Sequence, residues 1–281
     1  MDAVRRWIEE SPYSAALGVQ LSELSEENAQ LALPYADQNS NPGKALHGGV
    51  AASLSAIGAQ AVTRAALGPD AGPFHTAALQ VNYLSAAIGE PVVAEARLLR
   101  RGKALCFVEV DVATAAGKPI AHATSAVRAR LGADEPERAV VEPDHGESDP
   151  GRMGPHLPSI PFIGARGIAA EHMTGGTSRI TMPASEANRD ASGGVHEGAV
   201  LALLDTAGAM ASWAESGHGP YRASTPALQA QIVGAPPGED LVAYGRCVQR
   251  DAEIFFSQVD VATAGARRLV ARGTVLYRIL T

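Results

Sequence analysis

At 281 residues the chain is longer than one hydrophobic core usually fills, and 46% apolar with 19% charged side chains excludes a largely disordered polypeptide. The formal net charge of −7 is uneven: residues 1–131 carry 11 basic and 12 acidic side chains, 132–159 carry 2 and 7, and 160–281 carry 10 and 11. Neither flank has the basic excess of a nucleic-acid binder, so that class is set aside. No apolar run reaches the roughly 18 residues of a membrane span, and MDAVRRWIEESPYS carries acids where a signal peptide is apolar. A soluble, cytoplasmic protein without membrane or nucleic-acid partners is expected. Its two cysteines, Cys106 and Cys247, sit in apolar runs without metal-type spacing and read as buried, reduced thiols.

In chain order, Val4 to Glu10 forms a short amphipathic helix, and a strand follows near Ala29 to Pro34. The turn-rich segment DQNSNPGK leads into an Ala- and Gly-rich, Pro-free stretch from His47 to about Ala66. Its small side chains suit a helix lying close to a sheet. Four runs follow, at Thr76–Leu84, Pro91–Arg100, Leu105–Ala115 and Pro119–Arg130. In the third, Cys106, Val108, Val110 and Val112 alternate with Phe107, Glu109 and Asp111, the period-two pattern of a half-buried strand. The four runs predict an antiparallel meander, and the whole an α+β domain whose sheet wraps one long helix.

The same pattern then recurs. ALHGGVAASL at His47 corresponds to GVHEGAVLAL at His196, HTAALQ at Thr76 to STPALQ at Thr225, and VEVDVATA at Asp111 to SQVDVATA at Asp260, always 149 residues apart. Pro12, Gly18, Pro34 and Asn39 match Pro161, Gly167, Pro183 and Asn188 at that offset, without a gap. Between the copies, GADEPERAVVEPDHGESDPGRMGPHLPS is acidic, rich in Pro and Gly and free of apolar periodicity. It reads as a mobile linker over 132–159, separating domains 1–131 and 160–281.

At the junction of loop and helix the copies read NPGKALHGGVAASLSA and DASGGVHEGAVLALLD. This resembles the PaaI-type branch of the hot-dog thioesterases, with an Asn, seven residues on a Gly in an HGG turn, and an acid eight residues after that Gly. The resemblance covers both copies. It implies two tandem hot-dog domains paired as an intrachain pseudo-dimer, and metal-free hydrolysis of a thioester of CoA or acyl carrier protein, with CoA entering only as part of the substrate. It also implies that chains pair further into a homodimer.

The motif is split between the copies. The first keeps Asn41 and Gly48 but has Ala56 at the acid position; the second keeps Asp205 but has Asp190 and Glu197 at the Asn and Gly positions. Eight helical residues span about 12 Å, so an acid there cannot serve the start of its own helix, whereas one from an antiparallel neighbour can. Asp205 should therefore face Gly48 and Asn41, and the opposite combination, lacking a carboxylate at the catalytic position, should be dead.

Within the live site, the Gly48 N–H at a helix start would stabilise the thioester oxygen as it gains charge. Asn41 would add a donor or orient water, and Asp205 would be general base or nucleophile. Thr225 falls where the family often has a Ser beside the acid, though an ordinary strand Thr reads equally well, and His47 fixes the loop rather than moving protons. Arg100, Arg101 and Lys103, in the turn RRGKAL, are candidates for the CoA phosphates or simply an exposed basic hairpin. The competing functions are a non-catalytic acyl-CoA binder and an enoyl-CoA hydratase; the latter needs a DxNPxH-like loop that NSNPGKALHGG does not supply.

Overall fold

The computed structural model describes residues 1–142 and 148–280. The first part of the chain runs α1 (Asp2–Glu10), α2 (Pro12–Leu17), β1 (Gln20–Leu24), β2 (Asn28–Leu33), α3 (Gly48–Leu67), β3 (Phe74–Tyr83), β4 (Val92–Arg100), β5 (Leu105–Thr114) and β6 (Pro119–Ala129). The second runs α4 (Pro161–Ala165), β7 (Ala169–Thr174), β8 (Thr177–Met182), α5 (Glu197–Ser216), β9 (Arg222–Ile232), β10 (Leu241–Asp251), β11 (Ile254–Thr263) and β12 (Leu269–Leu280). The protein is α+β, with its strands in one antiparallel sheet ordered β1-β2-β4-β5-β6-β3-β9-β12-β11-β10-β8-β7. Read from either edge, that order is the same once each strand is replaced by its counterpart 149 residues on.

The meander is shorter than the sequence suggests. Only β4, β5 and β6 follow one another in space, while β3 lies between β6 and β9. The segment from Leu84 to Pro91 is too long for a tight hairpin, and it carries the chain past two strands before β4 pairs with β2. This leaves β3 at the centre, where Leu79 to Asn82 pair with Ala230 to Ala227 of β9.

Both long helices lie against the same face of the sheet. In α3 and α5 almost every residue is buried, which explains their lack of a polar face: sheet covers one side and the other helix covers part of the rest. A β-carbon on Gly49 would stand 2.6 Å from Ala202 Cβ, and one on Gly198 would stand 2.8 Å from Ser53 Cβ, so glycine is what lets the helices touch. The partners run in opposite directions along the two numberings, and the helices are antiparallel. Contrary to the sequence reading, α3 is long and apolar enough to cross a membrane, but it is the core helix, and most of it is buried within the protein.

The described parts of the 132–159 segment are docked rather than loose. Val141 is buried against Val242 and Ala262, the Val141 N–H donates to Arg267 O at 2.8 Å, and Arg138 donates to Leu269 O and Ala235 O. Farther on, Leu157 is 2% exposed within a 3-10 turn over Gly154–Ser159. A few apolar residues anchor an acidic segment that carries no periodic signal. Cys106 is buried as expected; Cys247 is half-buried, beside a register shift at Cys247–Gln249.

Candidate active site

Each long helix begins in the same way. His47 precedes α3, and its Nδ1 accepts from the Gly49 N–H at 3.0 Å; His196 precedes α5 and accepts from Gly198 at 2.9 Å. The rings are stacked from the opposite half of the chain, His47 on Phe162 at 4.4 Å and His196 on Tyr13 at 4.7 Å. Burial holds the His47 ring down to a pKa of about 4, so it is a neutral cap. The preceding loops are tied alike: Asn39 Nδ2 donates to Leu17 O, and Asn188 Nδ2 to Arg166 O.

The antiparallel crossing brings Asp205, on the third turn of α5, to the start of α3. Its Oδ2 lies 3.0 Å from where a β-carbon on Gly48 would stand, and its Oδ1 accepts from Thr225 Oγ1 at 2.9 Å. Asp205 is only 4% exposed. That burial raises its pKa from 3.8 to about 6, and the Thr225 hydrogen bond pulls the other way. Among the described residues the Gly48 N–H has no acceptor, as first-turn donors of a helix often do not. Asn41 opens the loop that leads to Gly48. Its backbone is pinned, with the Asn41 N–H donating to Ala45 O at 2.7 Å, while its half-buried side chain bonds to no other described residue. Asp205, Thr225 and Gly48 thus converge, His47 supports them from behind, and Asn41 is in the adjoining loop.

Two tyrosines at this end escape a motif-based reading. Tyr83 Oη donates to Gly48 O at 3.1 Å and its ring edge lies 3.6 Å from the same β-carbon position. Burial, and after it the Asp205 charge, pushes its phenol well above the usual value. Tyr277 accepts from Trp213 Nε1 at 3.2 Å, and its phenol too is raised by burial first and by Asp205 last. The signal was in the repeat: Tyr83 answers to Ile232 and Tyr277 to Arg128, substitutions that change the chemistry.

The basic hairpin is not part of this arrangement. Leu105 pairs with Arg128, and Phe74 with Ala129, so Arg100, Arg101 and Lys103 sit near the Phe74 end of β3. Tyr83 and Gly48 are at its other end, about 30 Å away by strand rise. Arg101 instead pairs with Glu26 at 3.2 Å.

The opposite helix end holds the acid that stands in place of Gly48, and Ala56 leaves no carboxylate at the position of Asp205. Glu197, from the start of α5, accepts from the Thr76 N–H at 3.1 Å and from Gln60 Nε2 at 2.6 Å. Thr76 is the counterpart of Thr225, so an acid has arrived at the same threonine from the facing helix. It is not free, because Gln60 Oε1 accepts in turn from Arg64, whose guanidinium lies 4.1 Å over Trp7 and 4.8 Å over Phe74. The space left is about 20 Å³, room for about one water. A larger groove, of about 950 Å³, runs over the β3–β9 seam, where it is lined by the exposed Gln80, Gln229 and Phe107. Among the described residues no three His, Cys, Asp or Glu side chains are grouped to hold a metal ion.

These features agree with what the chain resembles. A family profile described as the acyl-CoA thioesterase N-terminal domain matches residues 36–129. A protein of Halobacterium salinarum, provisionally named an esterase, is 31% identical over 125 residues, 43% of this chain and 82% of that one. The chain belongs to the hot-dog-fold thioesterase family. Among solved structures, a provisionally named thioesterase from Novosphingobium aromaticivorans superposes with a TM-score of 0.68 at 17% identity, covering 93% of this chain and 98% of the other. A hot-dog protein from Alicyclobacillus acidocaldarius gives 0.68 at 16%, covering 98% of both, and an acyl-CoA thioesterase II from Mycobacterium marinum gives 0.60 at 14%, covering 97% of both. At such identities the structural matches establish the hot-dog fold itself.

Proposed function

We propose that the protein hydrolyses an acyl-CoA thioester at one composite site, where Gly48 and Asn41 from one hot-dog unit meet Asp205 and Thr225 from a second unit in the same chain. The two units are 1–131 and 160–281, related as the partners of a PaaI-type dimer. The observation that carries this reading is the Asp205 carboxylate: buried, held on one oxygen by Thr225, and turned with the other toward a Gly48 whose N–H has no acceptor among the described residues. A thioester whose carbonyl oxygen takes that N–H presents its carbon beside Asp205.

Two routes fit this placement. As general base, Asp205 takes a proton from water, the hydroxide adds to the carbonyl carbon, and the C–S bond breaks as the thiolate recovers a proton, giving acid and thiol. As nucleophile, Asp205 adds directly, expels the thiolate and forms an anhydride that water then opens. In both, the Gly48 N–H stabilises the oxyanion, and Asn41 adds a donor or orients the water. His47 acts as the helix cap. No step is assigned to a metal or cofactor, so EDTA should leave turnover unchanged.

The unpaired thiols of Cys106 and Cys247 suit the cytoplasm. Pairing of chains through the outer sheet face is supported by Leu99 and Phe107, 48% and 39% exposed, and their counterparts Val248 and Phe256, 45% and 42% exposed. Light scattering showing only a 29.0 kDa species would rule out that pairing. The deciding experiment for function is release of free thiol from a panel of acyl-CoA thioesters. Binding without release makes the protein an acyl-CoA binder and overturns the hydrolytic reading.

A further inference from the structure

We propose that Tyr83 is a positioning residue that, together with His47, clamps the Gly48–Gly49 peptide and so aims the Gly48 N–H; the proposal rests on the hydrolytic reading of this site. Consecutive glycines are the most mobile backbone a chain can offer, yet here one peptide plane is held at both of its polar ends. Its carbonyl, Gly48 O, accepts from Tyr83 Oη at 3.1 Å, and its amide, Gly49 N–H, donates to His47 Nδ1 at 3.0 Å. The Val50 N–H is taken by His47 O at 2.9 Å. What remains is the Gly48 N–H, which has no acceptor among the described residues.

The ring does a second job. Its edge stands 3.6 Å from the β-carbon position of Gly48 while Asp205 Oδ2 stands 3.0 Å from it, so phenol and carboxylate enclose the glycine between them. The opposite end of the helix pair supplies a control. His196 grips Gly198 in the same way, but the counterpart of Tyr83 is Ile232 and that of Gly48 is Glu197. Of the two helix starts, the one beside Asp205 carries the complete clamp. Burial, and after it the Asp205 charge, raises the phenol well above its ordinary value, so the donor is still protonated at neutral pH, where Asp205 is ionised.

The test is Tyr83→Phe, which keeps the ring and removes only the hydroxyl, with Tyr83→Ile, the side chain tolerated at position 232, as a second variant should the first fail to fold. Expected for Tyr83→Phe are a roughly tenfold to hundredfold fall in kcat, a KM within about twofold, and an acid limb of the pH profile that stays where Asp205 puts it. In 15N-glycine spectra the Gly49 amide signal should move while that of Gly198 does not. Unchanged kcat, or a rise in KM alone, overturns the clamp while leaving the hydrolytic reading intact. A wild-type chain that releases no thiol from any acyl-CoA overturns both.

Discussion

The two ends of the α3–α5 pair share a backbone and differ in what fills it. Both have a capping His stacked from the other half, a threonine on the facing strand and a buried carboxylate. At the Gly48 end the carboxylate comes from the middle of the opposite helix, and one of its oxygens has no hydrogen-bond donor among the described residues. At the other end it comes from the helix start and is tied to Gln60 and Thr76, and Arg64 caps the network under Trp7 and Phe74. A buried acid that lacks partners is costly to hold, whereas one met by several donors is stabilised by them. The repeated frame carries one of each: Asp205 with the single Thr225 bond among the described residues, and Glu197 with Gln60 and Thr76.

Asp205→Asn should separate the ends most sharply. Turnover should fall about a thousandfold or more if Asp205 is the base, measured as kcat with the best acyl-CoA. The same change should stabilise the fold at neutral pH. Burial lifts the Asp205 pKa from 3.8 to about 6, so its contribution to stability is intact below about 4 and is lost as pH rises through 6. The variant should melt like wild type at pH 4 and higher at pH 8, by an amount on the order of 3 kcal/mol. Equal melting at pH 8 would mean that the carboxylate is not desolvated as the structure has it.

Gly48→Ala comes next. The added methyl stands 3.0 Å from Asp205 Oδ2 and 3.6 Å from Tyr83, and steady-state kinetics should show about a hundredfold loss through displacement of the base or the substrate. Thr225→Ala should cost about tenfold and also leave a titration signature. In wild type the rate should fall on the acid side with a midpoint near 6; without the Thr225 hydrogen bond, which lowers the Asp205 pKa, that midpoint should move upward.

At the other end the effect should change in kind. Glu197→Ala should leave kcat within about twofold yet lower stability by about 2–4 kcal/mol, since Gln60, the Thr76 N–H and Arg64 lose the acid they converge on. Denaturant melts and kinetics on one preparation would check both halves of that statement; a large loss of turnover would make this end a working site. The smallest effect is expected from Arg100, Arg101 and Lys103 replaced together by Ser, which should alter KM by less than about twofold, given their place at the far end of β3.

Local pattern determined much of this protein in advance. The helix read as His47 to about Ala66 spans Gly48–Leu67, and the four runs after it correspond to β3 through β6 within a few residues, because alternation and helix composition are properties of neighbours along the chain. The comparison of the repeats also singled out Gly48, Asp205 and Glu197, since a departure from a copy 149 residues away is visible without coordinates. Short elements such as α2 and β1 carry too few residues for periodicity to mark them. Only the tertiary structure put β3 at the centre of the sheet and docked Val141 under an acidic segment. It also set Tyr83 on Gly48, parted the basic hairpin from the site and tied Glu197 to Gln60. Each of these depends on which side chains face one another across two helices and a sheet, and that is settled by packing between residues distant in sequence.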